Sequence, residues 1–350
     1  MRRACALADE MIHAITNAYG FTIREATPLT GGFVNRSYRI ETDTDTYFLR
    51  IHDLIQDTET VKQEHRLLDF LSEHQFIAPS VVRTASDETF ITMDGTILSV
   101  YTWINGTPPN TITKEVVAQA AHALATYHHL VSTYTGDIPK WGLNIAQSPK
   151  ETVEHALNGF VRIIFEDMPW EQSAYSIIER KTRHSAFERE LLELKPFLSS
   201  IRDDIEDRYA SIVLDDRVVV IHGDYWPNNL LFEDGVLVGI VDFDTARAGT
   251  TKFELMKGAL EFSEFTISGI KTFMRAYLEV RSTTITVEEI DLYLRILSMW
   301  QIGQSIKQPI LHGRRPRKAE IEAIRAHTSF LKTLAGFDAW NRGLKPHIIP

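Results

Sequence analysis

Residues 218–244 constrain this chain more than any other stretch. The apolar run Val218 to Ile221 leads into His222-Gly223-Asp224-Tyr225-Trp226-Pro227-Asn228-Asn229, and a second run, Val236 to Val241, leads into Asp242-Phe243-Asp244. Apolar runs of this length, bounded by turn residues, read as buried strands. Between them, Glu233-Asp234-Gly235 separates Leu230-Leu231-Phe232 from Val236-Leu237-Val238. An Asp-Gly pair between apolar runs predicts a tight hairpin. The open end of that hairpin carries Asn229 towards Asp242, and Asp224 lies on the loop entering the same end. Asp224, Asn229 and Asp242 therefore form an oxygen-rich group able to hold a proton or a hard cation such as Mg²⁺.

The upstream hundred residues alternate strands with helices. Leu7, Met11, Ile15 and Ala18 predict an amphipathic helix over residues 6–18. Gly31-Gly32-Phe33-Val34-Asn35 precedes residues of strand character; glycines there either turn a hairpin or expose backbone N–H groups to an anion. Thr46 to Ile51 reads as a strand that contains Arg50. A charge inside an apolar strand needs a partner. Glu64, Leu67, Leu68 and Leu71 share one face of the next helix, so Glu64 is the expected partner of Arg50. Val81 to Thr84 and Phe90 to Met93 read as strands, and Asp94-Gly95 turns the chain into the strand Thr96 to Tyr101. The expected organisation is a small antiparallel-sheet region over 1–101, a connection over 102–109 marked by Gly106, Pro108 and Pro109, and a mainly helical region over 110–350.

In that third region, Val117, Ala121, Leu124, His128 and Val131 mark a helix in which His128 reads as a packing residue, since no second metal ligand is spaced to join it. Ser148-Pro149-Lys150-Glu151 and Thr286-Val287-Glu288-Glu289 are helix starts. Residues 166–190 mix acids, bases and aromatics, as either the wall of an acceptor pocket or an exposed helical insert.

The net charge of −10 argues against a general nucleic-acid binder. The single cysteine, Cys5, excludes an internal disulfide framework and suits a reducing, cytoplasmic setting. Asp9 and Glu10 break the first apolar stretch too early for a signal peptide, and no run is long enough to span a membrane. Nothing in the sequence sets an oligomeric state.

His222-Gly223-Asp224 with Asn229, followed by Val241-Asp242-Phe243-Asp244, resembles the aminoglycoside phosphotransferase and choline-kinase-like group of small-molecule kinases, homoserine kinases included. Gly31-Gly32 with Asn35, Arg50, Glu64, the hairpin into Tyr101, and Ala246-Arg247-Ala248-Gly249 follow in the order of that group. The resemblance implies an α+β, bilobal protein-kinase-like fold and transfer of the γ-phosphate of ATP, with Mg²⁺, to a hydroxyl of a small aminoglycoside-, choline- or homoserine-like molecule. It implies Asp224 as the catalytic residue and Asn229 and Asp242 as metal ligands. Asp244 either assists the metal or caps a turn. It further implies nucleotide contacts from Gly31, Gly32, Asn35, Arg50, Glu64, Tyr101 and Trp103, the backbone of Val100 to Trp103 meeting adenine. Tyr225 and Trp226 either face the acceptor or pack the loop, and His222 supports it.

Two positions depart from the group's pattern: Arg50 stands where lysine is common, and Glu254 where aspartate is usual. A catalytically silent, nucleotide-binding relative is the alternative reading. A protein kinase is disfavoured, because Asp244 replaces the glycine of Asp-Phe-Gly and no Ala-Pro-Glu follows.

Overall fold

The computed structural model describes residues 7–29, 35–52, 57–139, 148–214 and 216–335. The Gly31 and Gly32 expectation lies outside them. The chain divides into two compact units, one formed by 1–111, 129–145 and 222–247 and the other by 112–128, 146–221 and 248–350.

In the first unit, helix α1 (Asp9–Tyr19) precedes strands β1 (Ile23–Pro28), β2 (Arg36–Thr42) and β3 (Thr46–Ile51), helix α2 (Thr58–Glu73), and strands β4 (Ile91–Met93) and β5 (Thr96–Thr102). The strands form an antiparallel sheet in the order β1-β2-β3-β5-β4. Strand alternation sorts its residues. Leu49, Ile51, Leu98 and Val100 join Leu7, Ile15 and Phe21 in one apolar core. Arg50, Ser99 and Tyr101 therefore point to the opposite face, and there Glu64 and His65 of α2 meet Arg50 and Tyr101. Val81 to Thr84, expected as a strand, contributes only an isolated bridge from Val81 to Tyr101.

The second unit is mainly helical. Helices α3 (Lys114–Val131), α4 (Pro149–Ile164), α5 (Ala174–Glu179) and α6 (Ala186–Ser211) precede strand β6 (Val218–Ile221). The hairpin β7 (Leu230–Glu233) and β8 (Val236–Ile240) belongs to the first unit. Strand β9 (Arg247–Thr250) pairs with β6 and leads into α7 (Thr251–Glu261), α8 (Ile267–Val280), α9 (Val287–Leu311) and α10 (Lys318–Ala335). Helix α9 is buried along most of its length, polar positions such as Glu289, Asp291 and Arg295 included, with α4, α5, α6, α7 and α10 packed on it.

Both helix starts read from sequence form: Ser148 caps α4, and Thr286 with Glu289 closes a capping box on α9. His128 is a packing residue, hydrogen-bonded to Tyr277 and to Glu254, the position where aspartate was the usual residue. Burial lowers its pKa. Among the described residues, no helix is long and apolar enough to cross a membrane.

Candidate active site

The β7–β8 hairpin turns on Asp234 and Gly235, both with positive φ (49° and 80°), the left-handed pair a two-residue turn requires. Leu230 opposes Ile240, and the Val241 N–H donates to the Asn229 carbonyl at 2.9 Å. The hairpin's open end thus joins the two polar loops. On the first, the Asn229 Nδ2 donates to the Asp224 carbonyl at 2.8 Å and to its carboxylate at 3.1 Å. With Nδ2 so committed, Oδ1 is the remaining polar atom of that amide.

The first loop is tied to the second. His222 Nε2 donates to the Val241 carbonyl at 3.0 Å and its Nδ1 accepts from the Asp224 N–H at 3.3 Å, a set satisfied by the neutral ring. The Thr245 hydroxyl donates to the His222 carbonyl, and the Arg247 guanidinium to the Thr245 and Gly223 carbonyls. Gly223 has φ +82°, and a Cβ there would lie 2.1 Å from Arg247 and 2.4 Å from the Thr245 oxygen. Only glycine fits. From sequence, Arg247 belongs only to the order of motifs, in Ala246-Arg247-Ala248-Gly249, and Thr245 to none; their position just after Asp242-Phe243-Asp244 is the signal that both carry.

Asp242 itself is left-handed (φ 73°, ψ 55°), a conformation that few non-glycine residues adopt and that aims its side chain off the hairpin. Arg50 is its partner. Arg50 NH2 donates to Asp242 at 2.7 Å, while NH1 lies 3.7 Å from Glu64 and 3.5 Å from Asp244. The expected Arg50–Glu64 pair is present and is part of a larger cluster. The Asp244 carboxylate accepts from Asn35 Nδ2 at 2.9 Å.

One guanidinium among three carboxylates leaves the cluster short of positive charge. Burial, opposed by Arg50 and reinforced by Asp242, pushes Asp244 up to about 6. Glu64 is pushed up to about 8, again by burial against the pull of Arg50. Burial is the largest single influence on Asp242 and pushes it up, but Arg50, a hydrogen bond with Asp244 and the nearby His222 together outweigh it and hold that carboxyl below its ordinary value. The Arg50 Nε is buried with no acceptor among the described residues. A site with surplus carboxylate and an unused cationic donor suits a cation–anion pair as ligand. No group of three or more His, Cys, Asp or Glu side chains is arranged for a metal among the described residues. Mg²⁺ does not need one, since one or two carboxylates and the oxygens of a bound phosphate complete its octahedron. Asp242, Asp244 and the Asn229 Oδ1 fit that donor set.

The other expected residues lie nearby in the same unit. Tyr101 opposes Phe48 in the ladder with β3, and its hydroxyl points towards Glu64. The Thr102 N–H and Val100 carbonyl are taken by Ser80 and Val82, so the first residue past the ladder is Trp103. Its ring lies under the Arg39 guanidinium and its Nε1 donates to Asn105. Tyr225 is buried against His222, while Trp226 is half-buried with an Nε1 that lacks an acceptor among the described residues.

Residues 25–287 match the model of the phosphotransferase enzyme family, APH. A protein described as probable ketoamine kinase, from Staphylococcus aureus (strain NCTC 8325 / PS 47), is 23% identical over 305 residues, which cover 83% of this chain and 92% of that protein. Among solved structures, an aminoglycoside phosphotransferase from Alicyclobacillus acidocaldarius superposes with a TM-score of 0.66 at 15% identity, covering 97% of each chain. Spectinomycin phosphotransferase APH(9)-Ia, in complex with ADP and spectinomycin, superposes with a TM-score of 0.64 at 15% identity, covering 95% of this chain and 99% of that one. The chain belongs to the APH phosphotransferase enzyme family, a group of small-molecule kinases with a protein-kinase-like fold.

Proposed function

We propose that this chain transfers the γ-phosphoryl group of ATP to a hydroxyl of a small, amine-bearing molecule, with Mg²⁺ as cofactor. The observation that carries the reading is the Arg50 cluster: one guanidinium bonded to Asp242 and near Asp244 and Glu64, in the unit that also joins Asn229 to Asp224. Phosphoryl transfer needs positioning and charge neutralisation more than covalent help from the protein. Bound Mg²⁺ would supply that neutralisation at the phosphate oxygens. Asp242, Asp244 and Asn229 are the residues that would hold it.

Asp224 takes the hydroxyl proton of the acceptor or orients that hydroxyl. Its carboxylate is fixed by Asn229, so the same amide that faces the metal sets the angle of the base. Arg50 contacts the α- or β-phosphate, with Asn35 on the phosphate side and the segment from Trp103 onward at the base. Tyr225 and Trp226 belong to the acceptor side of the loop.

An amine in the acceptor agrees with the net charge of −10 and with the names of the relatives, a ketoamine kinase and two aminoglycoside-type phosphotransferases. Ketoamines therefore join aminoglycosides, choline, ethanolamine and homoserine in the panel to be tested. The experiment is coupled detection of ADP across that panel with wild type and Asp224→Asn. The expected result is turnover with one acceptor class, abolished in Asp224→Asn while ATP still binds. Turnover equal in the two proteins would overturn the role of Asp224; nucleotide binding without transfer to any acceptor would favour the silent relative.

A further inference from the structure

The sheet face that carries Arg50 also buries a line of polar groups that runs back from the Arg50–Glu64 pair. His65 Nε2 lies 2.9 Å from the Tyr101 hydroxyl, and that hydroxyl donates to Glu64 at 3.4 Å. Glu64 in turn faces Arg50 NH1 at 3.7 Å. The four residues are 1–7% exposed. Neighbouring helix positions make this possible: Glu64 reaches β3 and His65 reaches the adjacent β5.

A hydroxyl has one proton, so the line has a direction. Donation to Glu64 requires the Tyr101 oxygen to accept from His65, which places the imidazole proton on Nε2. His65 Nδ1 is then a bare nitrogen, and it is the ring atom that lacks a partner among the described residues. The reverse order would bury an unpaired Nδ1–H, and with Glu64 ionised it would also turn an oxygen lone pair towards the carboxylate. Burial keeps the ring neutral, lowering His65 to about 3.

We propose that Tyr101 and His65 are positioning residues, aligning the Glu64 carboxylate on Arg50 and so setting the guanidinium that meets the nucleotide phosphates. This rests on the phosphoryl-transfer reading above. It assigns Tyr101 a contact made through its hydroxyl, behind the ion pair, where the sequence suggested a backbone contact to adenine. The charged and titratable groups around Glu64 are Arg50 of β3, Tyr101 of β5, and Asp242 and Asp244 after β8. Those around His65 are Tyr101, His52, Arg50 and Arg83. Since the Tyr101 hydroxyl hydrogen-bonds to the ionised form of Glu64, its removal moves that carboxyl further up.

The test uses the full chain as wild type, Tyr101→Phe, His65→Leu and His65→Gln. Calorimetry measures binding of ADP and of adenosine, and carbon NMR follows the Glu64 carboxyl through its titration without nucleotide. Tyr101→Phe is expected to weaken ADP binding about tenfold, the scale of one hydrogen bond to a charged group. Adenosine binding should stay unchanged and the Glu64 titration should move to higher pH. His65→Leu should do the same, and His65→Gln, which keeps an N–H donor, should recover part of the loss. A Glu64 titration that stays put in Tyr101→Phe overturns the relay whatever the nucleotide does. A wild type that binds no ADP instead overturns the transfer reading, and the two failures are separately visible.

Discussion

At the scale of the residue, Arg50 is where the charges of the site meet. Its two terminal nitrogens engage different carboxylates, NH2 on Asp242 and NH1 near Glu64 and Asp244. A lysine ammonium is a single point and cannot serve both sides. Arg50→Lys is therefore expected to weaken ADP binding about tenfold, read by calorimetry; an unchanged dissociation constant would show that the fork is not used. Glu64 adds a pH effect. Its carboxyl titrates from an ordinary 4.5 up to about 8 in the fold, so the folded chain holds a proton that the unfolded chain releases. The stability this gives is full below the unfolded value and is lost as pH rises through about 8. At about 1.4 kcal/mol per pH unit, wild type should lose up to a few kcal/mol over that window relative to Glu64→Gln. Asp244 titrates in the same direction but is present in both proteins. Urea midpoints that run parallel with pH in the two proteins would refute the assignment. The Arg50–Glu64 pair was legible because Glu64 falls on the inward stripe of α2 and a buried arginine needs a carboxylate. The Asn35–Asp244 bond was not, because it joins residues 209 positions apart and no periodicity links them.

At the scale of the element, local rules worked wherever a segment carries its own instruction. Asp-Gly pairs turned both hairpins, and the Ser148 and Thr286 caps opened their helices. They worked less well at the sheet edge. Strand β1 went unread because Ile23-Arg24-Glu25-Ala26-Thr27-Pro28 is polar and half-exposed, as an edge strand can be. Val81 to Thr84 looked like a strand by composition, yet the structure gives it only one bridge. The loop 222–229 owes its shape to partners from the following loop, which no local rule supplies. Gly223→Ala tests that dependence. Positive φ and the encounter with Arg247 and the Thr245 oxygen should cost on the order of 2–4 kcal/mol. Turnover should fall more steeply than stability, because Asp224 is the next residue. A variant with wild-type melting temperature and activity would show that the tether is dispensable.

At the scale of the whole molecule, the candidate site draws on segments far apart in sequence that share one unit, 1–111, 129–145 and 222–247. Sequence alone divides the chain by order and places the polar loops with the helical region. Contacts group them with the sheet, because the β7–β8 hairpin bonds to Thr107 and Ile77. That grouping predicts where nucleotide binding is felt. A ligand that binds the folded chain alone stabilises it by mass action, about 2.7 kcal/mol at a hundred times its dissociation constant. With Mg²⁺ and ATP together, the melting temperature should rise, and chelation of the metal should remove most of the rise, since the proposed metal ligands Asp242 and Asp244 would then face the phosphates uncompensated. Amide hydrogen exchange should locate the effect: slowing in β3, α2, β5 and residues 222–247, with α9 and α10 of the other unit little changed. Protection spread evenly over both units would mean that nucleotide binding is not confined to the segments that carry Arg50, Glu64, Asn229 and Asp242. A rise in melting temperature that survives chelation would remove Asp242 and Asp244 from the metal and leave Arg50 as the main anchor of the phosphates.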